Sequence, residues 1–456
     1  MSIINNALSG ALAAQAALNA TSQNVANAQT DGYTRQGALL TTVAPSGGLT
    51  NAGGGVQVSS LIRFSNDYQN QALWSSNSDL GAKTQTQPYL TQMEQVMGDD
   101  KAGLSAGVDE FFSALNASAE DATSSPLRQA VLTAANDMAQ HFNSIYDVTS
   151  NQVVSVNQQR SAALPQINQL TSSIATLNQQ ILSVGHNTNT SALQDQRDQQ
   201  IDQLASLVGV QVTTQTDGTR DVSLSTGQPL VSGALASSMS FDSSSGTPVL
   251  TLNFANTAFT LDDSKIGGQL GGLGDYLNNT LLPLQQSISQ FAGQLSSKLN
   301  TQFEAGTDSN GNPGQALLQY NPDSGSGVLQ VPTTLTSDQL AYSADGTPAD
   351  TTNLQAVIAI NNQTITLGTV GNVTVGDADT QLVGKLGIDS QQNQALLTTA
   401  TTIRNQAEDD WKSTSGVNSD EEAVNLVAYQ NMYQANMKVV AVANTLFDAT
   451  LSMFGS

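Results

Sequence analysis

The sequence predicts a mainly α-helical protein with a β-rich insert, in which helices from the two ends of the chain pair as a coiled coil. Three observations lead to this fold class. Both ends carry apolar residues at a seven-residue spacing, the middle contains long stretches of helical periodicity, and one region breaks into short β-like runs. We therefore expect paired N- and C-terminal coiled-coil helices, a long-helix bundle domain and a small outer β domain.

The N-terminal segment has the heptad pattern of a coiled-coil strand. Residues 1–34 contain no lysine or arginine and one acid. One seam position holds Ile4, Ala11, Leu18 and Val25, and the neighbouring position holds Ala7, Ala14 and Thr21. Ordering one residue costs roughly 1–2 kcal/mol of backbone entropy, whereas a buried methylene returns only about 0.8 kcal/mol. A seam so rich in alanine is therefore predicted to need a partner.

The C-terminal segment repeats this pattern. One seam position holds Met432, Val439, Leu446 and Met453, and the neighbouring position holds Ala428, Ala435, Val442 and Ala449. We predict that the two ends pair with each other and with neighbouring subunits, the alternative being two frayed tails. The residues predicted to mediate subunit assembly are Ile4, Ala11, Leu18, Val25, Met432, Val439, Val442, Leu446 and Met453.

Between the ends, helical and β-like segments alternate. Residues 126–184 predict one very long helix, which Pro165 is expected to kink or break. Short β-like runs between residues 209 and 266 predict a small all-β domain. Residues 353–376 fit either a helix or a hairpin. Further helices are predicted over residues 191–207, 270–303, 393–412 and 421–454.

The order of these segments predicts a nested domain organisation. Helices from the front of the chain pair with helices from the back, and the β-rich insert lies between them. The predicted division is a terminal coiled-coil assembly domain (1–60 and 415–456), a long-helix bundle domain (61–208, 267–305 and 377–414), a β-rich outer domain (209–266) and a loop-like or mixed segment (306–376).

Composition argues against several classes of function. The chain carries 37 acids and 14 bases, and its net charge of −23 repels nucleic-acid phosphates and anionic membranes. The sequence has no run of apolar residues long enough to span a bilayer. It also has no cysteine, which excludes disulfides and thiolate metal sites. We therefore predict no nucleic-acid binding and no membrane insertion.

The sequence offers no cluster of residues suited to catalysis. Its two histidines, His141 and His186, lie in different parts of the helical region. Asp195, Asp198 and Asp202 share one helix face, and we interpret them as a solvated acidic face rather than a cation site. Because an active site needs convergent acids, bases or ligands, we predict no enzymatic activity and no cofactor.

A turn is predicted where the first helix ends. Asn27 and Gly32 suit a helix end, the glycine through its freedom at positive φ. Tyr33 and Arg35 then supply an aromatic anchor and a cation just beyond the stop. We call this segment the signature turn, with Asn27, Thr30, Gly32, Tyr33 and Arg35 as its principal residues.

A helix start is predicted before the last helix. Ser419 and Glu422, three residues apart, have the spacing of a capping box, and Asn418 precedes them. Acidic residues at 420 and 421 favour the positive end of a helix. Each terminal helix is thus predicted to be a separate rigid piece with a chain break on its inner side.

These motifs resemble those of a known protein superfamily. The segment NAQTDGYTR at 27–35, with NALSG at 6–10 and SQNVA at 22–26, resembles the N-terminal signature of flagellar rod, hook and hook-associated proteins. Within that superfamily, four further segments are similar to the FlgK family: FF at 111–112, AVL at 130–132, LQDQRD at 193–198 and SGVNSDEE at 415–422. Two departures stand out, since Ser419 replaces a usual leucine and the β insert is short.

The resemblance implies a structural junction protein that connects the flagellar hook to the filament. It implies export of the unfolded chain through the flagellar type III apparatus, in keeping with the absence of a visible secretory signal. It also implies that the termini fold on assembly and form an inner coiled-coil layer. The location implied is extracellular, at the hook–filament junction of the bacterial flagellum.

The resemblance implies several partners. They are other copies of the chain in a ring of about eleven subunits, the hook protein, a second junction protein of the FlgL type, and an export chaperone of the FlgN type on the C-terminal region. A hook or rod protein of the same superfamily is an alternative, disfavoured by the long 126–184 helix and the 193–198 motif. A surface adhesin that uses the β-rich insert is another.

Overall fold

Helices dominate the structure. The computed structural model describes residues 2–44, 53–184, 189–242, 249–322, 327–347 and 349–454. Helices make up 64% of the described residues, so the predicted fold class, mainly α with a β-rich insert, is confirmed. The α-helices over the described residues are α1 (Ser2–Ala26), α2 (Asp67–Met97), α3 (Leu104–Glu120), α4 (Ser125–Val184), α5 (Ser191–Leu207), α6 (Gly268–Tyr276), α7 (Leu282–Glu304), α8 (Thr352–Ile358), α9 (Ala378–Ser415) and α10 (Ser419–Phe454).

The strands are short and pair antiparallel. Strands β3 to β6 form one sheet in sequence order, and β7 to β9 form another, which confirms the predicted β-rich insert. Three two-stranded sheets pair β1 with β2, β10 with β11, and β12 with β13. The strands are β1 (Gln36–Thr42), β2 (Val56–Arg63), β3 (Val210–Thr214), β4 (Arg220–Leu224), β5 (Pro229–Ser232), β6 (Leu235–Ala236), β7 (Ser238–Asp242), β8 (Val249–Phe254), β9 (Thr257–Thr260), β10 (Gln319–Tyr320), β11 (Leu329–Gln330), β12 (Thr364–Leu367) and β13 (Gly371–Thr374).

The long helix α4 continues through its proline. It runs from Ser125 to Val184 with Pro165 inside it, so of the predicted kink or break the break is wrong, and the kink stays a prediction. A proline removes one backbone hydrogen bond from a helix. Here a buried seam that includes Ile167 and Ile174 continues beyond the proline, and its packing favours the helical conformation.

Two other predictions resolve in the structure. The helix predicted over residues 270–303 is interrupted by a π-helical turn, Leu277–Leu281, directly before α7. Pro283 lies at the start of α7, where the missing N–H costs least. Residues 353–376, which fitted a helix or a hairpin, contain both: α8 is followed by a 3-10 turn, Ala359–Asn362, and then by the β12–β13 hairpin.

The chain divides into two compact units. Unit 1 comprises Met1–Leu80, Leu164–Leu261 and Ala400–Ser456, and unit 2 comprises Gly81–Ala163 and Asp262–Thr399. Helices α2, α4 and α9 each contribute residues to both units. The units therefore do not follow the predicted domain boundaries, and the finer division into terminal, bundle and β-rich domains stays a prediction.

Unit 2 has a core of large apolar side chains. On α7, Ile288, Phe291, Leu295 and Leu299 recur at spacings of three and four residues and are fully buried. Phe142 of α4 packs edge-to-face on Phe291 with ring centroids 5.0 Å apart. Side chains of α3, α8 and the β12–β13 hairpin complete the core. The residues of this core all come from unit 2.

Candidate assembly interface

The two terminal helices pack against each other in unit 1, as predicted. Asn24 near the end of α1 contacts Glu422 at the start of α10, and Gly10 lies against Asn436, so the helices run antiparallel. Helix α1 also packs on the β1–β2 hairpin, where the Ser9 hydroxyl accepts a hydrogen bond from the backbone N–H of Val56. The apolar and threonine side chains that α1 buries are small: Ala7, Ala11, Ala13, Ala14, Ala17, Ala20 and Thr21.

Helix α10 turns a different stripe toward α1 from the one predicted. Its half-buried residues recur at spacings of three and four, and they are Asn425, Tyr429, Tyr433, Asn436, Val440 and Ala443. The residues of the predicted seam are exposed: Met432, Val439, Val442, Leu446 and Met453. Because alanine and glycine on α1 leave room for wide side chains, the facing stripe carries tyrosines and amides. The prediction that this stripe forms the seam between the two helices is wrong. The prediction that these residues make contacts between subunits stays a prediction.

On α1, some of the predicted seam residues are buried and others are half-buried or exposed. Ala11 is buried, Ile4 and Leu18 are half-buried, and Val25 is exposed. The second predicted seam position, at residues 7, 14 and 21, is buried throughout. The heptad pattern thus marks the packed face of α1 correctly where its residues are small, whereas its large residues are half-buried or, at Val25, exposed.

The signature turn ends α1 as predicted. The Asn27 side-chain amide donates to the carbonyl of Gln23 at 2.9 Å, which satisfies a carbonyl in the last turn of the helix. Two backbone hydrogen bonds follow, from the N–H of Thr30 to the carbonyl of Asn27 and from the N–H of Tyr33 to that of Thr30. Gly32 has a φ of +75°, which a residue with a side chain rarely adopts.

Asn24 is the polar centre of this region. Its side chain is 1% exposed and makes four hydrogen bonds. Its Nδ2 donates to the carbonyl of Gln36 at 2.9 Å and to Oε1 of Glu422 at 3.0 Å. Its Oδ1 accepts from the N–H of Gln36 at 3.0 Å and from the Tyr33 hydroxyl at 2.9 Å. Every donor and acceptor of the amide is used, and four chain segments meet at one side chain.

The start of α10 differs from the predicted capping box. Oδ1 of Asn418 accepts from the N–H of Asp420 at 3.0 Å, and the carbonyl of Asn418 accepts the first helical hydrogen bond, from Glu422. Asn418 is therefore the N-cap, and the prediction of Ser419 in that role is wrong. Glu422, 2% exposed, bonds to Asn24 of α1 instead of closing a box.

Arg35 joins the signature turn to the segment before α10. Its backbone N–H donates to the carbonyl of Ser415 at 2.8 Å, and its guanidinium lies 3.2 Å from a carboxylate oxygen of Glu421. The guanidinium also lies 4.5 Å from the centroid of the Phe64 ring. Both charged side chains reach solvent, so the ion pair contributes little, about 0–1 kcal/mol. The backbone bond is the firmer connection.

The predicted solvated acidic face on α5 is wrong for its first two members. Asp195 accepts from Arg63 Nε at 2.6 Å, and Asp198 accepts from Arg63 Nη2 at 2.8 Å. Asp198 also accepts from Arg220 Nη1 at 2.6 Å, and Arg197 lies beside it. Arg63 and Arg220 come from β2 and β4, which are distant in sequence, so the spacing along α5 could not reveal them. We call this group the arginine–aspartate cluster.

The cluster separates the pKa values of its two acids. Burial alone would raise the pKa of Asp198, but the charges of Arg220, Arg63 and Arg197 outweigh it and hold the pKa below its usual value. At Asp195, burial outweighs the attraction of Arg63 and raises the pKa. Burial, followed by the charges of Asp195 and Glu422, raises the pKa of Tyr33 to about 12. The Tyr33 hydroxyl therefore keeps its proton and stays a hydrogen-bond donor at neutral pH.

A cavity of about 660 Å³ lies beside the signature turn in unit 1. Its lining includes Trp74, Trp411 and charged side chains that pair with each other. Glu408 accepts from both Arg404 and Lys412 at 2.6 Å.

In the described part of the chain, no group of three or more His, Cys, Asp or Glu side chains is placed to hold a metal ion. His186 lies outside the described residues, and His141 contacts the carbonyl of Ala102.

Sequence reasoning missed Asn24, Arg63 and Arg220 as members of this site. Asn24 lay inside the quoted segment SQNVA, yet nothing in the spacing distinguished it from the other amides of α1. Its place three residues after Thr21, at helical spacing from the small residues of the predicted seam, is the one signal that the sequence offers. Among the described helices, none has both the length and the apolar character to cross a membrane.

Two family models match the chain. One is described as the flagellar hook-associated protein FlgK helical domain and matches residues 90–318, half of the chain. The other is the C-terminal model of flagellar basal body rod FlgEFG proteins, and it matches residues 413–453. The first decides against the alternative of a hook or rod protein, because its helical domain is that of FlgK.

Individual relatives agree with the family models. The chain is similar to flagellar hook-associated protein 1 of Escherichia coli K12, with 27% identity over 99% of this chain and 100% of the relative. It is similar to flagellar hook-associated protein 1 of Bacillus subtilis 168, with 26% identity over 97% and 96% of the two chains. These relatives are structural proteins of the flagellum and not enzymes.

A solved structure is also similar. It is that of the flagellar hook junction protein FlgK from Burkholderia pseudomallei, with 30% identity, a TM-score of 0.51, and coverage of 55% of this chain and 47% of that one. With the helical-domain model matching half of the chain, this protein belongs to the FlgK family of flagellar hook-associated proteins.

Proposed function

We propose that this protein joins the flagellar hook to the filament, and that its terminal helices form the joint by packing against those of neighbouring copies. The observation that carries this proposal is which side chains the α1–α10 pair buries and which it leaves exposed. Small side chains lie inside the pair, and large apolar side chains lie outside it. A contiguous exposed apolar surface on a soluble protein marks a contact site.

The exposed surface runs along α10. Val439, Val442 and Leu446 lie on it, and Phe447 and Leu451, which continue the α1-facing stripe beyond Ala443, are exposed as well. Neutral side chains surround these residues, since the segment from 423 to 456 has one base and one acid. Copies of a chain with a net charge of −23 repel each other in general. Copies therefore approach each other with the least electrostatic repulsion at an apolar face that carries few charges.

Weak stability of the isolated pair fits export before assembly. Each alanine buried on α1 contributes one methyl group, whose burial returns less than the roughly 1–2 kcal/mol of backbone entropy that ordering a residue costs. The termini are therefore expected to be largely unfolded in the free protein and to fold when neighbouring copies cover them. A chain with such ends suits passage in unfolded form through the flagellar export apparatus.

The proposed partners follow from the family and from the location of this face. They are other copies of the chain in a ring of about eleven, the hook protein, a second junction protein of the FlgL type, and an export chaperone of the FlgN type that covers residues 415–456 before assembly. The proposed location is the hook–filament junction outside the cell.

The proposal is tested by placing charges on the exposed face. Val439→Asp with Leu446→Asp should abolish swimming, because each buried carboxylate costs far more than the contact it replaces returns. The rest of the chain should stay folded, as judged by circular dichroism and by the size of the fragment that resists limited proteolysis. Normal swimming of this double variant would refute the proposal.

The chain offers a matched control for the same change. Leu446 is 62% exposed, and Leu235 in β6 is 61% exposed. Leu446→Asp and Leu235→Asp therefore alter charge and apolar area equally. The proposal requires that Leu235→Asp cells swim normally and that Leu446→Asp cells swim poorly or not at all.

A further inference from the structure

We propose that Asn24 and Glu422 form a polar lock that sets the register of α1 along α10. The lock would hold the large apolar residues of α10 at fixed positions relative to α1. The inference rests on the proposed function, since the register matters because those residues are offered to neighbouring copies. It concerns the two helices within one chain, however, and can be tested separately.

Most of the α1–α10 interface specifies register poorly. The buried face of α1 is a run of alanines from Ala7 to Ala20, with Gly10 among them. A shift of α10 by seven residues would keep the alanine face of α1 against the same stripe at the same spacing, with Ala443 or Tyr429 in place of Asn436 beside Gly10. The loss of fit would be small, since alanine knobs fill shallow holes. The uniform alanine face of α1 therefore distinguishes poorly between registers.

The Asn24–Glu422 contact does not repeat. Asn24 is the buried polar amide at the end of this alanine run, and Glu422 is the buried acid of the facing helix. A slip of one turn would leave both groups buried and without each other. Stranding a buried polar group costs far more than shifting one alanine contact. A single buried polar residue that fixes register is a known device in paired helices.

The lock also has a fixed anchor. Gln36, the first residue of β1, exchanges two hydrogen bonds with the Asn24 side chain, at 2.9 and 3.0 Å. Tyr33 donates a third from the signature turn. Three of the four hydrogen bonds of Asn24 thus hold it to its own end of the chain. The fourth is left to position α10, through Oε1 of Glu422.

Glu422 is hydrogen-bonded to Asn24 through one carboxylate oxygen, Oε1. Its Oε2 is buried and has no hydrogen-bond partner among the described residues. A glutamine at this position can turn its amide so that either a donor or an acceptor faces residue 24. Position 422 can therefore be matched to a changed partner on α1, which provides a rescue experiment.

The register can be read with engineered disulfides, because the natural chain has no cysteine. A Cβ atom built at Gly10 lies 2.9 Å from Cγ of Asn436, so Gly10→Cys with Asn436→Cys reports the observed register. Gly10→Cys with Ala443→Cys reports a slip of one heptad. Each pair is produced together with the natural chain, so that flagella assemble, and intrachain disulfides are measured in isolated flagella after mild oxidation.

The lock predicts a large difference between the two pairs. In the otherwise natural background the Asn436 pair should form at least roughly tenfold more disulfide than the Ala443 pair, the ratio that about 1.4 kcal/mol of preference gives. Asn24→Asp places a carboxylate against Glu422 and should bring the ratio close to one. Adding Glu422→Gln, which can donate to that carboxylate, should restore the excess.

A matched substitution controls for the added charge. Asn19→Asp lies on the same helix at an exposed position and should leave the ratio unchanged. Exclusion of the Asn24→Asp chain from flagella, with entry restored by Glu422→Gln, supports the lock equally. The inference is overturned if Asn24→Asp keeps the tenfold excess, or if Glu422→Gln restores neither the ratio nor entry. Failure of the proposed junction function would appear as swimming of Leu446→Asp cells, whatever the disulfide ratio.

Discussion

The core of unit 2 and the α1–α10 pair solve the packing of helices in opposite ways. In unit 2, phenylalanine and leucine lie inside a core that the unit forms from its own side chains. In the terminal pair, alanine lies inside while valine, leucine and methionine face outward. The first arrangement is complete in one chain. The second stabilises the chain only weakly until other surfaces cover it, which is what an assembling end requires.

The largest expected effect tests whether unit 2 is self-sufficient. Phe291→Ala should reduce the free energy of unfolding of the full-length protein by about 3–5 kcal/mol, because it opens a cavity beside Phe142 in a closed core. Val442→Ala, at a residue 59% exposed on α10, should change it by less than about 0.5 kcal/mol. Urea unfolding followed by circular dichroism measures both. Comparable losses from the two variants would contradict the contrast between the regions.

The arginine–aspartate cluster adds to the contrast between the core of unit 2 and the region of the terminal helices. Around the signature turn, polar contacts rather than a large apolar core stabilise the structure. Asp198→Asn should cost about 3 kcal/mol, since it leaves Arg63, Arg197 and Arg220 buried around an uncharged group. The same substitution at Asp389, paired with Lys385 within one turn of α9, should cost less than about 0.5 kcal/mol. Thermal unfolding at neutral pH gives both values.

The cluster also predicts a pH dependence. The lowered pKa of Asp198 means that its contribution is complete above the pKa of an unfolded aspartate, about 4, and is lost as pH falls through the lower folded value. Asp195 has the opposite sign, since its raised pKa favours the folded state at low pH. Between about pH 5 and pH 3, Asp198→Asn should therefore lose less Tm than the natural protein, and Asp195→Asn should lose more. The reverse order would exclude this electrostatic arrangement.

The smallest expected effect concerns the start of α10. Asn418→Ala removes the side chain that caps the first turn and should weaken that turn by about 1 kcal/mol. Ser419→Ala should change it by a few tenths at most. Hydrogen exchange of the amides at residues 420–422 in assembled flagella reports this turn directly. Faster exchange than in the natural protein for the Ser419 variant, with no change for the Asn418 variant, would support the capping box that the sequence predicts.

Much of the helical architecture could be predicted because it depends on local periodicity. The boundaries of α4 and α5, the strand β3 and the pairing of the two ends all follow from spacings of two, three and four residues. The helix does not break at Pro165, as a local rule allowed, because buried neighbours on both sides favour the helix. The α5 carboxylates were misjudged because their arginine partners lie in β2 and β4, far along the chain.

The sequence by itself determined that two nearly uncharged helices with heptad spacing stand at the ends of the chain, and that they need partners. Only the tertiary structure decided which stripe of α10 faces α1. An apolar heptad identifies a surface that avoids water, but it does not say which neighbour covers it. Alanines on α1 accept the tyrosine and amide stripe, and Asn24 binds Glu422, so the more apolar stripe is left outside. The physical reason is that packing depends on the shape and polar groups of both faces, and each face comes from a different end of the chain.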